Sequence, residues 1–375
     1  MARLANVPHM FYAFPMPAPS PANGRGARSS VLSRRFNLPA READGDWRDE
    51  AESIDGPPPK LRTTVTEEHP RTILTFNSSP DIAFDRSVNA YRGCEHGCAY
   101  CYARPSHAFL DLSPGLDFET KLYAKPDAAR LLRQTLARKG YKVQPIAMGT
   151  NTDPYQPIEA KYRITRQVLE VCLETRHPAL ITTKSDRVLY DLDILADMAS
   201  KKLISVSISV TSLDPRMSRT LEPRAASPEK RLAALARLSQ AGVPTHVSVA
   251  PVIPAITDGE MEAILARAAQ AGVGSASWIM LRLPHEVAPI FREWLDAHFP
   301  DRAEKVMSIV RSMRGGKDND ARFFKRFRPE GAWASLMRDR FRLAVKRAGI
   351  AQDYTRLDCT SFRPPALDGQ MDLFG

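Results

Sequence analysis

Three of the five cysteines of this chain lie within eight residues of one another. Cys94, Cys98 and Cys101 follow the spacing C-x-x-x-C-x-x-C. Gly93 and Gly97 would allow the backbone between them to wrap closely around a bound group. A four-iron, four-sulfur (4Fe–4S) cluster takes four ligands, so three thiolates would leave one iron open to a ligand that the protein does not supply. The spacing thus predicts an iron-sulfur centre with a free coordination position.

Zinc is the alternative metal for this loop. A structural zinc site takes four protein ligands, usually as two separated pairs, and no second pair follows here. His96 or His107 would have to supply the fourth ligand. Cys172 and Cys359 are isolated, which does not indicate a disulfide framework and fits a reducing cytoplasm. Cys172 lies on the apolar face of a predicted helix, where a core position is expected.

The segments around the loop alternate between strand and helix patterns. Runs rich in Val, Ile, Ser and Thr predict strands at 85–93, 143–151, 179–185, 203–212, 245–254 and 275–284. Apolar periodicity predicts helices at 125–140, 164–176, 191–202, 227–242 and 259–272. Six buried parallel strands with intervening helices indicate an α/β fold, a partial (β/α)6 TIM-like barrel, in which the cysteine loop follows the first strand. A doubly wound open sheet is the alternative.

The aromatic residue before the third cysteine, Tyr100, completes a motif that resembles the radical S-adenosylmethionine (radical SAM) superfamily. The segments NAYRGCEHGCAYCYARPSHAF (89–109), TDPYQPIE (152–159) and TLEPRAASPEKRL (220–232) resemble, more loosely, the branch of spore photoproduct lyase and the DNA repair photolyase-like proteins. The likeness spans residues 75–350.

The resemblance implies two cofactors and one reaction type. A 4Fe–4S cluster would be bound by Cys94, Cys98 and Cys101, and the amino and carboxylate groups of S-adenosylmethionine (SAM) would chelate the open iron. One electron, from a reductant such as flavodoxin or ferredoxin, would cleave SAM to methionine and a 5′-deoxyadenosyl radical that abstracts hydrogen from the substrate. In photoproduct lyases a cysteine near the end of the second strand returns that hydrogen, but Met148, Gly149 and Thr150 include none.

Polar residues after other predicted strands are expected to bind SAM together with Tyr100. Thr150, Asn151, Thr152 and Asp153 follow the second strand, where the superfamily binds the methionine amino group. A turn stabilised by the Asp153 carboxylate is the purely local alternative.

After the fourth strand, Ser209 and Arg224 suit the ribose hydroxyls and the methionine carboxylate, with Glu222 in the same loop. A Glu222–Arg224 ion pair that only shapes the loop is the alternative. Lys184 and Arg282 follow the third and sixth strands, and two cations near one mouth favour an anionic substrate. The alternative is that either cation pairs with Asp153, Asp186 or Glu286.

The flanking segments have a different composition. Residues 1–70 are rich in Pro, Gly, Arg and Asp and predict a disordered basic tail before a core at 75–290. A helical extension is predicted at 291–355 and a tail at 356–375. The formal net charge is +10, and residues 302–347 hold 14 Lys and Arg against 5 Asp and Glu. No apolar run is long enough to predict a membrane span.

Two features of the C-terminal part suggest macromolecular partners. Residues 302–347 interleave cations with Phe323, Phe324, Phe327, Trp333 and Phe341, a pattern that suits nucleic acid. The alternative is an amphipathic helix that docks Leu336, Phe341 and Val345 on the barrel and leaves a solvated basic face. At the terminus, Gln370, Leu373 and Phe374 match the Q-x-x-L-F pattern by which bacterial proteins dock on the sliding clamp.

Three hypotheses for function follow. The leading one is a radical SAM enzyme that acts on nucleic acid, in a lyase-like repair or modification of DNA, with the target base entering the barrel mouth. The second keeps the radical chemistry but assigns a peptide or small metabolite as substrate. The third is a non-catalytic iron-sulfur or zinc protein that binds DNA or the clamp.

Overall fold

The computed structural model describes residues 24–31, 33, 35–36, 61–351 and 355–366. Within this part of the chain a seven-stranded sheet has the order β10-β9-β8-β7-β6-β3-β2, and a three-stranded sheet has the order β1-β5-β4. The strands are β1 (Thr64–Glu67), β2 (Leu74–Phe76), β3 (Arg86–Val88), β4 (Tyr91–Arg92), β5 (Lys121–Ala124), β6 (Ile146–Met148), β7 (Ala179–Thr183), β8 (Ile204–Ser209), β9 (Thr245–Val252) and β10 (Ser275–Met280).

Helices follow most of the strands of the large sheet. They are α1 (Asp117–Thr120), α2 (Ala128–Leu136), α3 (Glu159–Tyr162), α4 (Ile164–Glu174), α5 (Leu192–Ser200), α6 (Pro215–Leu221), α7 (Pro228–Gln240), α8 (Met261–Gln270), α9 (Val287–His298), α10 (Pro300–Ser312) and α11 (Ala332–Ala348). Three 3-10 helices span Arg104–Leu110, Asp186–Asp191 and Asp258–Glu260. None of the described helices is long and apolar enough to cross a bilayer.

The large sheet confirms the predicted partial barrel. Strands β3, β6, β7, β8, β9 and β10 run parallel and are neighbours in the order in which the chain visits them. A doubly wound sheet would reverse that order near its middle, so the alternative fold is wrong. β2 adds antiparallel to β3 at one edge.

Alternation along each strand separates an apolar face from a polar one. In β8, Val206 and Ile208 belong to the main hydrophobic core, which also includes helix residues such as Leu235. Ser207 and Ser209 lie on the opposite face, because successive side chains of a strand point to opposite sides. The helices therefore cover the apolar face and leave a polar inner face.

The small sheet positions the cysteine loop and was not predicted. β4 pairs antiparallel with β5, and β5 pairs in parallel with β1, which lies within the segment expected to be a tail. Cys94 follows β4 after a single glycine, and its N–H donates to Phe118 O at 2.9 Å. The first turn of the loop is thereby fixed by backbone pairing.

The described residues between 24 and 36 also depart from the expected tail. Gly26 and Ala27 are buried beside the cysteine loop, and Ser29 donates to the Glu293 carboxylate at 2.9 Å. Ser33 donates to Glu286. We call residues 24–31 the N-terminal strap. Its burial depends on specific polar contacts that composition does not reveal.

The C-terminal extension is helical, as predicted. In α11, Phe341 and Val345 are buried in the main core, which confirms the docked face for these two residues. Leu336 is 54% exposed, so its predicted docking is wrong. Phe323 and Phe324 precede this helix and are exposed.

Candidate active site

The cysteine loop lies at the edge of the sheet where the parallel strands end, directly after β3 and β4. Cys94, Cys98 and Cys101 are free thiols; the first two are buried and the third is half-buried. The N–H of Cys101 donates to Cys98 O at 3.2 Å, which turns the chain between these two side chains. The adjacent Ala99 N–H donates to Leu221 O at 3.0 Å and ties the loop to α6.

A buried ion pair supports the loop from below. Arg104 Nη2 lies 2.5 Å from Glu119 Oε1, and both side chains are 0% exposed. The same guanidinium donates through Nε to Cys98 O at 2.9 Å and through Nη1 to Gly115 O at 2.9 Å. A planar guanidinium with five donors can join several backbone segments at once. Arg104 therefore fixes the carbonyl of the middle cysteine.

The N-terminal strap completes the coordination of the same carboxylate. The N–H of Gly26 donates to Glu119 Oε2 at 3.0 Å, and that of Ala27 donates to Oε1 at 2.8 Å. A Cβ at Gly26 would lie 1.5 Å from Gly97 O, so only glycine fits against the loop here. The strap thus closes one side of the cysteine loop.

The two glycines of the loop are conformationally required. Gly93 has φ +73° and Gly97 has φ +66°, both in the left-handed region. A Cβ at Gly93 would lie 2.7 Å from Phe118 O, and one at Gly97 would lie 2.6 Å from the Glu119 carboxylate. These two glycines allow the cysteine loop to pack closely on Phe118 and Glu119 of α1.

The electrostatics of the thiols fit a cationic metal centre. Burial raises the pKa of Cys94 well above its ordinary value, and Asp153, Cys98 and Cys101 raise it further. Burial likewise raises the pKa of Cys98, with contributions from Glu222 and Cys101. Thiols whose ionisation is opposed by burial and by neighbouring groups, as for Cys94 and Cys98, gain strongly when a bound cation stabilises the thiolates. The donor set therefore fits a 4Fe–4S cluster.

The two histidines of the zinc alternative have other contacts. His96 Nδ1 lies 3.3 Å from Asp153 Oδ2, and His107 Nε2 lies 2.9 Å from Lys121 O. Among the described residues no three His, Cys, Asp or Glu converge on the position of a single metal ion. A structural zinc site would need four ligands around one point.

Tyr100 belongs to a buried polar network that sequence reasoning found only in part. Its hydroxyl donates to Glu222 and lies 3.3 Å from Thr211 Oγ1. The other Glu222 oxygen accepts from Arg231, a residue of α7 that was not predicted. The predicted Glu222–Arg224 ion pair is therefore wrong. The arginine that pairs with the Glu222 carboxylate is Arg231, and both of these side chains are buried. Its place within the segment 220–232, which carries the family resemblance, was the available signal.

Arg224 contacts the cysteine loop itself and not Glu222. Its backbone N–H donates to His96 O at 3.2 Å, and its Nη2 donates to Glu95 Oε1 at 3.1 Å. Its side chain is 39% exposed, so part of the guanidinium faces solvent beside the thiols.

The loop after β6 contains side chains that hydrogen-bond to the cysteine loop or to Asn89, and one residue, Asn151, that is exposed to solvent. Thr150 Oγ1 and the Asn151 N–H contact Asn89 Oδ1 at 3.3 and 3.0 Å, and Asn151 is exposed. Thr152 Oγ1 donates to Gly93 O at 2.5 Å, which joins this loop to the cysteine loop. Gly149 is needed because a Cβ there would lie 1.9 Å from Thr182 O. That glycine serves packing between two strands.

Asp153 is a buried acceptor of hydrogen bonds. Oδ1 accepts from the Tyr155 N–H at 2.9 Å and from Thr183 Oγ1 at 2.7 Å, and Oδ2 accepts from the Lys184 N–H at 2.8 Å. Burial alone would raise the pKa of Asp153, but His96 and these donors lower it to about 2. The predicted Asx-turn is present, and it joins β6 to β7.

The inner face of the sheet carries a polar ladder beneath the loops. Ser209 of β8 pairs in register with Ser248 of β9, and Ser207 pairs with His246. His246 Nδ1 and Nε2 each lie 2.8 Å from a serine hydroxyl of β10. Burial lowers the pKa of His246 to about 3, so it is neutral at pH 7. Sequence reasoning identified Ser209 but missed His246, although strand alternation puts both on one face.

The two predicted cations lie at the same edge. Burial alone would lower the pKa of Lys184, but Cys98 and Glu222 raise it above its ordinary value. Its Nζ lies 5.7 Å from the centre of the Tyr100 ring. Arg282 follows β10, and its Cζ lies 4.4 Å from the centre of the Phe327 ring. Gln370, Leu373 and Phe374 of the proposed clamp peptide lie outside the described residues.

The sequence is similar to proteins from bacteria and a phage. An uncharacterized protein of Mycobacterium tuberculosis is 35% identical over 241 residues, which cover 63% of this chain and 71% of that protein. A protein of Pseudomonas phage M6 named radical SAM Nalpha-GlyT isomerase is 25% identical over 228 residues, covering 60% of this chain and 45% of the relative.

The fold is similar to a solved enzyme. Spore photoproduct lyase complexed with dinucleoside spore photoproduct superposes with a TM-score of 0.56 at 16% identity, covering 76% of this chain and 79% of that chain. At that identity the likeness shows a shared fold. The model of the radical SAM superfamily matches residues 88–268, which include the three cysteines, the strands β6 to β9 and the last residue of β3. The chain belongs to the radical SAM superfamily, whose members are enzymes that use a 4Fe–4S cluster and S-adenosylmethionine.

Proposed function

We propose that Cys94, Cys98 and Cys101 hold a 4Fe–4S cluster and that this enzyme acts on nucleic acid. With cluster and SAM bound, one electron from an external reductant would break the C5′–S bond of SAM, giving methionine and a 5′-deoxyadenosyl radical that would take a hydrogen atom from the substrate. The observation that best supports this proposal is that all three thiols lie on one loop, at the edge where the parallel strands end. A zinc-type single-ion site would instead require ligands that converge on one point.

The residues near the loop divide into binding and positioning groups. Arg224, Asn151 and Ser209 keep polar groups near the loop and inner face that are suited to the carboxylate, amino and ribose groups of SAM. Both oxygens of Asp153 and of Glu222 accept hydrogen bonds from protein donors. We therefore assign these two carboxylates to positioning of the loops.

The nucleic-acid substrate is supported by charge and exposed rings. Residues 302–347 hold 14 Lys and Arg against 5 Asp and Glu, and Phe323 and Phe324 are exposed within this stretch. Phosphate attraction and base stacking use these two side-chain classes. The dinucleoside bound by the photoproduct lyase of similar fold lends further support. Because Met148 to Thr150 contain no hydrogen-returning cysteine, we favour base modification over repair of spore photoproduct.

The decisive experiment is anaerobic reconstitution with iron and sulfide, reduction in the presence of SAM, and quantification of 5′-deoxyadenosine. We expect formation of 5′-deoxyadenosine, its loss in Cys98→Ala, and its retention in Cys359→Ala. Cys359 is the matched control because it is half-buried, isolated, and has a described hydrogen bond only to Leu357 O at 3.9 Å. A cluster that forms but never cleaves SAM would contradict the proposed reaction.

The substrate class is tested separately on the same preparation. Affinity for a single-stranded oligonucleotide should fall steeply as salt rises, since phosphate contacts release counterions. SAM cleavage without any affinity for oligonucleotides would leave a radical enzyme that acts on a peptide or metabolite. Oligonucleotide binding without SAM cleavage would favour a non-catalytic protein.

A further inference from the structure

One guanidinium at the edge of the active site has no acidic partner within the described part of the chain. Arg282 lies two residues after the end of β10, at the same edge of the sheet as the cysteine loop. Its Nε is buried and has no hydrogen-bond partner among the described residues. A buried donor without a partner is unfavourable in a folded protein, so its retention calls for an explanation.

The surroundings of Arg282 increase this cost. Burial lowers the pKa of Arg282 to about 10, and the nearby cations Arg326 and Arg314 lower it as well. Asp81 is the near acid, but its two oxygens already accept from Arg326 Nη2 at 2.5 Å and Nε at 2.8 Å. Arg314 donates to Leu281 O at 2.7 Å, so the Arg314 guanidinium lies against the residue that precedes Arg282. The three guanidiniums thus form a cluster with an excess of positive charge.

Aromatic rings surround the same cluster. Phe327 lies 4.4 Å from Arg282 Cζ and 5.1 Å from Arg326 Cζ, measured to the ring centre. Phe323, 54% exposed, lies 5.1 Å from Arg326 Cζ. Rings that stack on guanidiniums hold their planes in place and leave the edge donors for a ligand. The basic stretch therefore reaches the barrel mouth at Arg282.

The cluster is also close to the cysteine loop. Tyr102 follows Cys101 directly, is 54% exposed, and donates to Thr150 O at 2.6 Å. Cys101 and Arg282 both act electrostatically on the Tyr102 hydroxyl. Tyr102 is therefore within electrostatic range of both the third cysteine and Arg282.

We propose that Arg282 binds a phosphodiester of a single-stranded nucleic acid and thereby sets the distance between the target nucleotide and the cysteine loop. This inference rests on the proposed nucleic-acid substrate. A phosphodiester fits better than an isolated carboxylate because two exposed rings, Tyr102 beside the cysteine loop and Phe323 at Arg326, offer stacking surfaces to neighbouring bases. Arg282 contributes the bidentate donor that phosphate oxygens accept.

The test compares Arg282→Gln, Arg282→Lys and Arg138→Gln in the reconstituted holoenzyme. Arg138 is exposed just after α2, near the opposite edge of the sheet, and its loss removes the same charge. Affinity for a fluorescent single-stranded oligonucleotide is measured against salt concentration. We expect Arg282→Gln to weaken binding about tenfold and to reduce the slope of log K against log salt by about 0.7, the value for one contact to a single strand.

The two remaining variants separate the site from general effects. Arg282→Lys keeps the charge and should retain the salt slope while losing part of the affinity, because an ammonium cannot bind two oxygens in the same plane. Arg138→Gln should match the wild type in affinity, slope and 5′-deoxyadenosine formation. Circular dichroism and melting temperature identify any variant that fails to fold.

The outcomes also separate this inference from the proposed function. Wild-type binding with an unchanged slope in Arg282→Gln would overturn the Arg282 site and leave the nucleic-acid substrate standing. Wild-type SAM cleavage without oligonucleotide binding would overturn both. Loss of affinity for an acidic peptide in Arg282→Gln, with oligonucleotide binding unchanged, would assign the site to a peptide carboxylate instead.

Discussion

The Arg104 guanidinium and the Glu119 carboxylate form an ion pair directly beneath the cysteine loop, and neither side chain is exposed to solvent. This pair joins the three segments that surround the thiols. Arg104 contacts the carbonyl of Cys98, and Glu119 accepts from the backbone of the N-terminal strap. A buried pair of this kind contributes little net stability as a whole, but removal of one partner leaves a buried charge.

Replacement of Glu119 by Gln should therefore be severe. We expect Glu119→Gln to lower the free energy of unfolding by about 3–5 kcal/mol, because Arg104 would keep its charge without a counterion. Urea unfolding of the reduced protein measures this quantity. Glu293→Gln is the matched control, since Glu293 also accepts from the strap, through Ser29 Oγ, but has no described ion pair. Equal losses in the two variants would contradict the assigned role of the Arg104 pair.

The N-terminal strap should determine whether the cysteine loop can hold its cluster. In Gly26→Val the new Cβ would lie 1.5 Å from Gly97 O, so the strap must detach from the loop. We expect iron and sulfide bound per chain after reconstitution to fall at least about twofold, through loss of the two strap hydrogen bonds to Glu119, each worth about 1.5–3 kcal/mol as bonds to a charged group. Chemical iron and sulfide analysis gives the result.

The control for the strap is Gly259→Ala. A Cβ at Gly259 meets nothing within 4 Å, and its backbone does not require glycine. Its cluster content should equal that of the wild type. Full cluster content in Gly26→Val would show that the strap is dispensable for the metal centre.

The strands and the cysteine loop were predictable because their signals are local. Ile204 to Ser209 alternate apolar and small polar residues, which places one face in the core and one face inside. The strap was not predictable, because Gly26 and Ala27 are buried through backbone donors to Glu119, 92 residues or more away along the chain. No periodicity records such a contact.

The ion pairs at the site show a second limit. Glu222 had two arginines within reach in the sequence, and composition could not rank them. In the folded chain the partner of Glu222 is Arg231. This residue lies near the start of α7, and its Nη1 also donates to Ser209 O, at the end of β8, at 3.0 Å. Proximity in sequence favoured Arg224, whose partner is instead Glu95 in the cysteine loop.

The two faces of α11 should differ sharply in their tolerance to truncation. Phe341 is 6% exposed and lies in the main core, so Phe341→Ala should lower the free energy of unfolding by about 3–5 kcal/mol through a cavity. Leu336 is 54% exposed, so Leu336→Ala should change it by no more than about 0.5 kcal/mol. Denaturant unfolding of both variants measures the contrast. A large loss in Leu336→Ala would mean that this face is covered in solution.

Acid should destabilise the protein through histidines that are buried in the neutral form. Burial lowers the pKa of His177 to about 4. Its Nδ1 lies 3.0 Å from Pro178 O and its Nε2 lies 3.0 Å from the Tyr141 hydroxyl, so both nitrogens are engaged as a neutral ring. The unfolded chain takes up this proton near pH 6.5, whereas the folded chain does so only near the lower pKa. The contribution of neutral His177 to stability is therefore fully present above about pH 6.5. It is lost as the pH falls toward the pKa of His177 in the folded chain.

The magnitude follows from linkage. Between pH 7 and pH 5, His177 should cost about 2 kcal/mol, since each pH unit below the unfolded pKa costs about 1.4 kcal/mol. In His177→Gln the free energy of unfolding should be lower at pH 7 but should fall by about 2 kcal/mol less than in the wild type on going to pH 5. His285→Gln, at an exposed position, should keep the wild-type pH dependence. Urea unfolding at pH 7, 6 and 5 gives the slope of the free energy of unfolding against pH for the wild type and for both variants. The wild-type slope in His177→Gln would mean that this ring takes up its proton in the folded state as readily as in the unfolded chain.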